Sequence, residues 1–276
     1  MESNTDIEFP LPLTNSGRVK PGTWDSLDNH VLYLKWLMAK NKWTEPEDLY
    51  KISAKNVNSN YGRGLLKKYN NSPCKLVCKL GGQVFQEHEF LPFKFNNTPL
   101  RWWTKMDNQK CWFNWLRKEN KWEKPEDLYK ITVDNVKSKY GSTLLVGYYN
   151  GSPYDMVSKL GSEVFPNYEF LPFKFNAAPN GWWDDIDNQL FWFNWLMKEN
   201  NWTEPEDLYN ISRRIIESNY GAGLLMGYYN GSPYDMVCEL GPLIFPEHEF
   251  LPFKFNNTPL GWWSKMDNQK CWFNWL

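Results

Sequence analysis

Ten cations could hold an anionic ligand: Lys55, Arg63, Lys67, Lys68, Lys75 and Lys79 early in the chain, Lys137 and Lys139 in the middle, Arg213 and Arg214 later. The first six fall on a stretch whose Gly and Pro punctuation predicts three consecutive short helices. Phosphate contact needs such clustering, because each neutralised phosphate releases condensed counterions and the gains accumulate. The stretch from Ser53 to Leu80 also has a helix–turn–helix rhythm, although short helices with Gly turns produce it without any ligand. An ordinary solvated face would carry the same charges.

Other reactive residue types point away from catalysis. The pairs Glu47-Asp48, Glu126-Asp127 and Glu206-Asp207 each follow a Pro in what reads as a first helical turn. Acids there stabilise the helix dipole, so capping is the expected role rather than acid–base work. His30, His88 and His248 are the only histidines, and they align with Gln109, Tyr168 and each other rather than with further ligands. The counterparts of the five cysteines, 74, 78, 111, 238 and 271, are often not Cys: Cys74 aligns with Tyr154 and Cys78 with Ser158. Free thiols and an intracellular setting follow, nucleus or cytoplasm being open. No phosphate loop, nucleophile elbow or metal motif is present. We expect no enzyme, no metal and no small-molecule cofactor. The acidic start from Met1 is no signal peptide, and no run is long enough to span a membrane.

These residues are positioned by a repeated frame. Trp24-Asp-Ser-Leu-Asp-Asn29 returns from Trp103, Trp183 and Trp263, at spacings of 79, 80 and 80. Such arrays are usually binding scaffolds. The expected fold is an all-α tandem array of three small helical modules with extended Pro/Phe-containing straps and a terminal half-repeat. Its segments are 1–23, an N-terminal strap including Glu8-Phe-Pro-Leu-Pro-Leu13; repeats 24–102, 103–182 and 183–262; and 263–276, the first helix of a fourth. That last helix reads equally as a fragment's end or as a cap.

Within repeat 2, Asp107 is the expected N-cap of a helix burying Trp112, Phe113, Trp115 and Leu116. A short helix at Pro125–Tyr129 follows; its counterparts Thr44-Glu-Pro-Glu47 and Thr203-Glu-Pro-Glu206 have capping-box spacing. A third helix should run from Thr132 (Ser53 and Ser212 elsewhere) to a left-handed cap at Gly141. Leu144-Leu145 opens another, ended by Asn150-Gly151. Ser152-Pro153 starts a helix that Gly161 stops. Glu169–Phe175 should be an extended strap.

The third helix varies most between copies. Its apolar members persist as Val57, Val136 and Ile216, which should be core. Lys55, Asp134 and Arg214 should be exposed. A constant frame with one changing face suits ligand reading, and drift on a solvated face gives the same pattern. Charge changes too. Residues 24–102 carry 12 Lys+Arg against 7 Asp+Glu, residues 103–182 carry 11 against 9, and residues 183–262 carry 4 against 12.

Asp107-Asn108 with Trp115-Leu116, Glu126-Asp-Leu-Tyr-Lys-Ile131, Gly141-x-x-Leu144-Leu145 with Tyr149-Asn-Gly-Ser152, and Phe165-Pro-x-x-x-Phe-Leu-Pro-Phe-Lys-Phe175 together carry a resemblance. The chain resembles a Trp-rich tandem repeat of uncharacterised fungal, protist and algal proteins, some followed by a restriction-endonuclease-like domain. The resemblance implies nucleic-acid targeting. It covers residues 24–276 and no nuclease core lies there, so no cleavage activity is implied. The strap departs from the more usual Trp-x-x-Trp-Lys-Phe. Two readings stand: a nucleic-acid recognition module using the variable helices and basic first repeat, or a protein–protein scaffold, self-associating head to tail through opposite charges. The acidic third repeat should repel phosphate within a Debye length of about 8 Å, so nucleic-acid contact should concentrate on repeats 1 and 2 or require an absent domain.

Overall fold

The computed structural model describes residues 7–96, 98–259 and 261–276; Met1–Asp6 of the expected N-terminal strap, Asn97 and Leu260 lie outside them. The chain is all-α. Among the described residues strand pairing is limited to one antiparallel bridge, Leu13 to Val19. No helix there is long and apolar enough to cross a membrane.

The helices follow the sequence frame. The first set is α1 (Leu27–Asn41), α2 (Ala54–Ser59), α3 (Arg63–Lys68) and α4 (Pro73–Leu80). The second is α5 (Met106–Asn120), α6 (Val133–Ser138), α7 (Ser142–Tyr148) and α8 (Pro153–Leu160). The third is α9 (Ile186–Glu199), α10 (Arg213–Ser218), α11 (Ala222–Tyr228) and α12 (Pro233–Ile244), with α13 (Met266–Trp275) last. By contact the chain divides into two compact units, one through Asn120 together with Val136–Leu144, the other Lys121–Asn135 with Leu145–Leu276.

The Asp-Asn pair that marks the frame has a structural task. The Asn108, Asn188 and Asn268 amides donate to the carbonyls of Trp102, Trp182 and Trp262, tying the Trp-Trp turn to the following helix. Asp107 does not cap: α5 begins one residue earlier, at Met106, and Asp107 lies in its first turn. In α9 the residue two before, Asp185, is the cap and accepts from Asp187 N–H.

The next capping box is also displaced by one. Asp48, not Glu47, reaches back, its carboxylate accepting from the Thr44 and Glu45 N–H groups at 3.1 and 3.2 Å. Asp127 and Asp207 do the same at their own turns. Each turn is 3-10, as at Pro46–Lys51, because Pro sets φ and a lone short turn gains nothing from α geometry. A hydrogen bond from Lys51 and two from backbone hold the Asp48 carboxyl below its ordinary value; Lys130 chiefly does so for Asp127, and the Glu204 N–H for Asp207. Depressed folded values mean stabilisation that is complete above the ordinary carboxylate range and disappears as pH falls through the folded value. Replacing Asp207 with Asn should therefore flatten the acid side of the melting-temperature profile; an unchanged profile would show that the caps do not contribute.

Gly141 is not the left-handed cap. Tyr61, Tyr140 and Tyr220 hold that conformation, at φ of 64°, 65° and 65°, and the glycine follows. The glycine is needed for close approach. A Cβ on Gly141 would lie 2.4 Å from Trp112 Cζ2, and one on Gly221 would lie 2.3 Å from Trp192 Cζ2. Gly161 likewise gives way to Phe170 while keeping right-handed backbone. Gly221→Ala should thus cost about 1–3 kcal/mol through overpacking. Gly227→Ala, inside α11 with nothing near its would-be Cβ, should stabilise by roughly 0.5–1 kcal/mol. Equal effects in urea unfolding would refute this assignment.

In the first unit, Tyr33, Leu34 and Leu37 of α1 pack with Val57, Leu65, Leu66, Leu76, Val77 and Leu80. In the second, Trp192, Phe193 and Leu196 pack with Ile216, Leu224, Leu225, Met236, Val237 and Leu240. Val57, Val136 and Ile216 are fully buried, while Lys55, Asp134 and Arg214 are exposed, as the pattern predicted.

The straps bind two things at once. Leu91 is extended, then Pro92–Lys94 makes one 3-10 turn rather than continuing straight. The Tyr50 hydroxyl accepts from Leu91 N–H at 3.0 Å; Tyr129 and Tyr209 accept from Leu171 and Leu251. Phe95, Phe175 and Phe255 pack edge-on against those tyrosines. Between them Phe93 faces the following helix, 5.0 Å from Trp115; Phe173 lies 4.9 Å from Trp195, and Phe253 5.2 Å from Trp275. The N-terminal strap works similarly: Phe9 is 4.9 Å from Trp36 and 4.5 Å from Tyr61.

Candidate functional site

The cations of the first unit are displayed by the periodicity of its short helices. On α3, Leu65 and Leu66 are buried, which leaves Arg63, Lys67 and Lys68 exposed. On α4, Leu76, Val77 and Leu80 are buried, and Lys75 and Lys79, one turn apart, are exposed. The Ser72 hydroxyl caps α4 by accepting from Lys75 N–H. Lys55 is exposed on α2.

One of these six is already engaged. Lys68 Nζ lies 2.7 Å from Asp25 Oδ1, and its hydrogen bond holds the Asp25 carboxyl below its ordinary value. Lys55, Arg63, Lys67, Lys75 and Lys79 have no carboxylate within ion-pair distance among the described residues. The later candidates are less free. Arg213 pairs with Glu217 at 2.6 Å, one turn along α10. Lys139 is half-buried, and its carbonyl accepts from Trp112 Nε1. Lys137 and Arg214 are exposed.

The histidines are spent on packing. His30 bonds the Tyr69 hydroxyl and the Trp24 carbonyl, at 2.9 and 3.0 Å, where Gln109 and Gln189 instead donate to Trp103 and Trp183 carbonyls. His88 and His248 contact the Tyr50 and Tyr209 hydroxyls. All five cysteines are free, and no three His, Cys, Asp or Glu side chains converge among the described residues.

Charge reasoning alone misses two grooves, both within the second unit. A groove of about 690 Å³ runs beside the strap, lined by Tyr129, Lys130, Phe173, Lys174, Trp183 and Tyr220 among others. A second, of about 480 Å³, is lined by hydroxyls, amide and rings, including Tyr154, Ser158, Tyr168, Glu169, Trp182 and Asn188. The signal for the first was the recurring Phe-Lys-Phe. The strap lysine sits over aromatic faces in each copy: Lys94 over Trp115 at 5.2 Å, Lys174 over Trp195 at 4.9 Å, Lys254 over Trp275 at 5.1 Å. Such contacts favour the cation over bare water exposure and hold it beside the rings.

α13 presents a third surface. Residues 263–276 differ from 103–116 only at Ser264. Yet Trp112 and Phe113 are buried, at 0% and 1% exposure, whereas their counterparts Trp272 and Phe273 are half-buried and 72% exposed, and Trp275 is 52% exposed where Trp115 is half-buried. The strap contact to Trp275 is present, so this helix docks on the preceding strap while its apolar face stays open. No family model, no curated protein and no solved structure matches the chain.

Proposed function

We propose that the chain is a non-catalytic tandem-repeat binding module whose ligand is nucleic acid, held through the first repeat. The observation that carries this reading is the set of five exposed side chains, Lys55, Arg63, Lys67, Lys75 and Lys79, with no carboxylate partner among the described residues. A cation already paired gains little by exchanging carboxylate for phosphate; an unpaired one gains the counterion-release term in full. Fluorescence anisotropy with one labelled oligonucleotide, single-stranded and as duplex, tests it. Binding at low salt that weakens as salt rises is expected. No binding to either form at low salt would overturn the proposal.

A second reading, a protein-interaction scaffold, is favoured by the aromatic groove of the second unit and by the acidity of residues 183–262. Ring-lined grooves beside amides suit peptide segments. This reading expects capture of a protein rather than an oligonucleotide, and, where the first repeat meets an acidic surface, an attraction that weakens with salt. Head-to-tail self-association is its simplest form, and sedimentation at low and high ionic strength reads it directly.

A further inference from the structure

Cys74 and Cys78 lie one turn apart on α4, with their sulfurs 3.8 Å apart. Cys74 is buried and Cys78 exposed. In the other repeats the same two positions hold Tyr154 with Ser158 and Tyr234 with Cys238, each pair close enough for its side chains to influence each other's titration. The frame therefore turns these two side chains toward each other, and only here are both thiols.

We propose that Cys74 and Cys78 form a peroxide-reactive dithiol that closes reversibly to a disulfide. Cys78 is the attacking sulfur because peroxide can reach it. The contact with the Cys74 thiol holds the Cys78 thiol below its ordinary value, while that same contact and burial push Cys74 up. An exposed sulfur with enhanced thiolate character beside a resolving thiol is the arrangement that oxidants select.

In the first step the Cys78 sulfur attacks a peroxide oxygen. The S–O bond forms, the O–O bond breaks, and hydroxide leaves with the thiol proton as water. In the second step the Cys74 sulfur attacks the Cys78 sulfenic acid. The S–S bond forms, the S–O bond breaks, and hydroxide leaves with the Cys74 proton as a second water. Two thiols lose two electrons and two protons, and hydrogen peroxide is reduced to two waters. Residues four apart on a helix have Cα atoms about 6 Å apart, inside the roughly 4.4–6.8 Å that a disulfide spans, and Cβ atoms about 5–6 Å apart against the roughly 3.5–4.5 Å it needs, so closure tightens the α4 turn that joins them. Closing the bond removes the hydrogen that Cys78 directs at the Phe90 carbonyl, 3.5 Å away, so oxidation is registered where the strap begins.

The test treats the reduced full chain with hydrogen peroxide, alkylates remaining thiols after denaturation, and cleaves at glutamates, which leaves Cys74 and Cys78 together on one fragment. That fragment should lose both alkylatable thiols and two hydrogens in mass, and dithiothreitol should restore both. Cys238, beside Tyr234, should remain alkylatable under the same exposure. In Cys74→Ser, dimedone should trap Cys78 as a sulfenic acid. The proposal is overturned if both thiols remain alkylatable when Cys238 has reacted, if Cys78 proceeds to sulfinic acid while Cys74 stays reduced, or if Cys78 pairs with another cysteine.

Discussion

Trp192→Ala should destabilise the second unit by about 3–5 kcal/mol in urea unfolding. Trp192 has no exposed surface, stands edge-on to Trp183 at 6.0 Å and donates through Nε1 to the Asn219 carbonyl at 2.8 Å. Truncation leaves a cavity that the glycine beside it cannot fill, and removes the carbonyl's partner. Trp192→Tyr should cost less. The first repeat shows why: Tyr33 occupies the corresponding position, and its hydroxyl donates to the Val57 carbonyl at 3.1 Å. If Ala and Tyr cost the same, or if Ala costs under about 1 kcal/mol, the core described around Trp192 is wrong.

Phe173→Ala should cost a similar amount, about 3–5 kcal/mol, and Phe253→Ala less than half of it. The two residues occupy the same place in the same strap sequence. Phe173 is 2% exposed and meets Trp182, Phe191 and Trp195 at 5.9, 6.1 and 4.9 Å. Phe253 is only half-buried, against Trp262 and Trp275 on the open α13. The difference isolates what burial around the strap contributes, with side-chain chemistry held constant. Equal losses would mean that the strap contact stabilises its own repeat alone.

The helices were legible because their apolar spacing, Pro starts and Asn-Gly stops are local signals. The buried trio Val57, Val136 and Ile216 was legible from the contrast between constant and changing positions. Cap positions were not. The carboxyls that suggested Glu47 as the capping partner are adjacent, and only the turn geometry selects Asp48. Gly141 misled for a different reason: a glycine after a helix suggests a left-handed residue, but the demand here comes from Trp112 of α5, distant in sequence. The same blindness to long-range pairing hid the ion pair that removes Lys68 from the free cations and the groove beside Phe173 and Lys174. Exposure of the cations could be read from periodicity; their partners could not.

The central claim, that phosphate is held by the first repeat, is tested most directly by the salt slope of duplex binding for two proteins. One is the wild type; the other carries Arg63→Glu, Lys67→Glu, Lys75→Glu and Lys79→Glu, all exposed positions whose replacement leaves the core intact. With about −0.9 in log–log slope per phosphate neutralised, five cations permit a wild-type slope as steep as about −4.5. The variant should bind on the order of 10–100-fold more weakly at low salt, with a slope near zero. A salt-insensitive wild type, or a variant matching it in affinity and slope, would contradict the account.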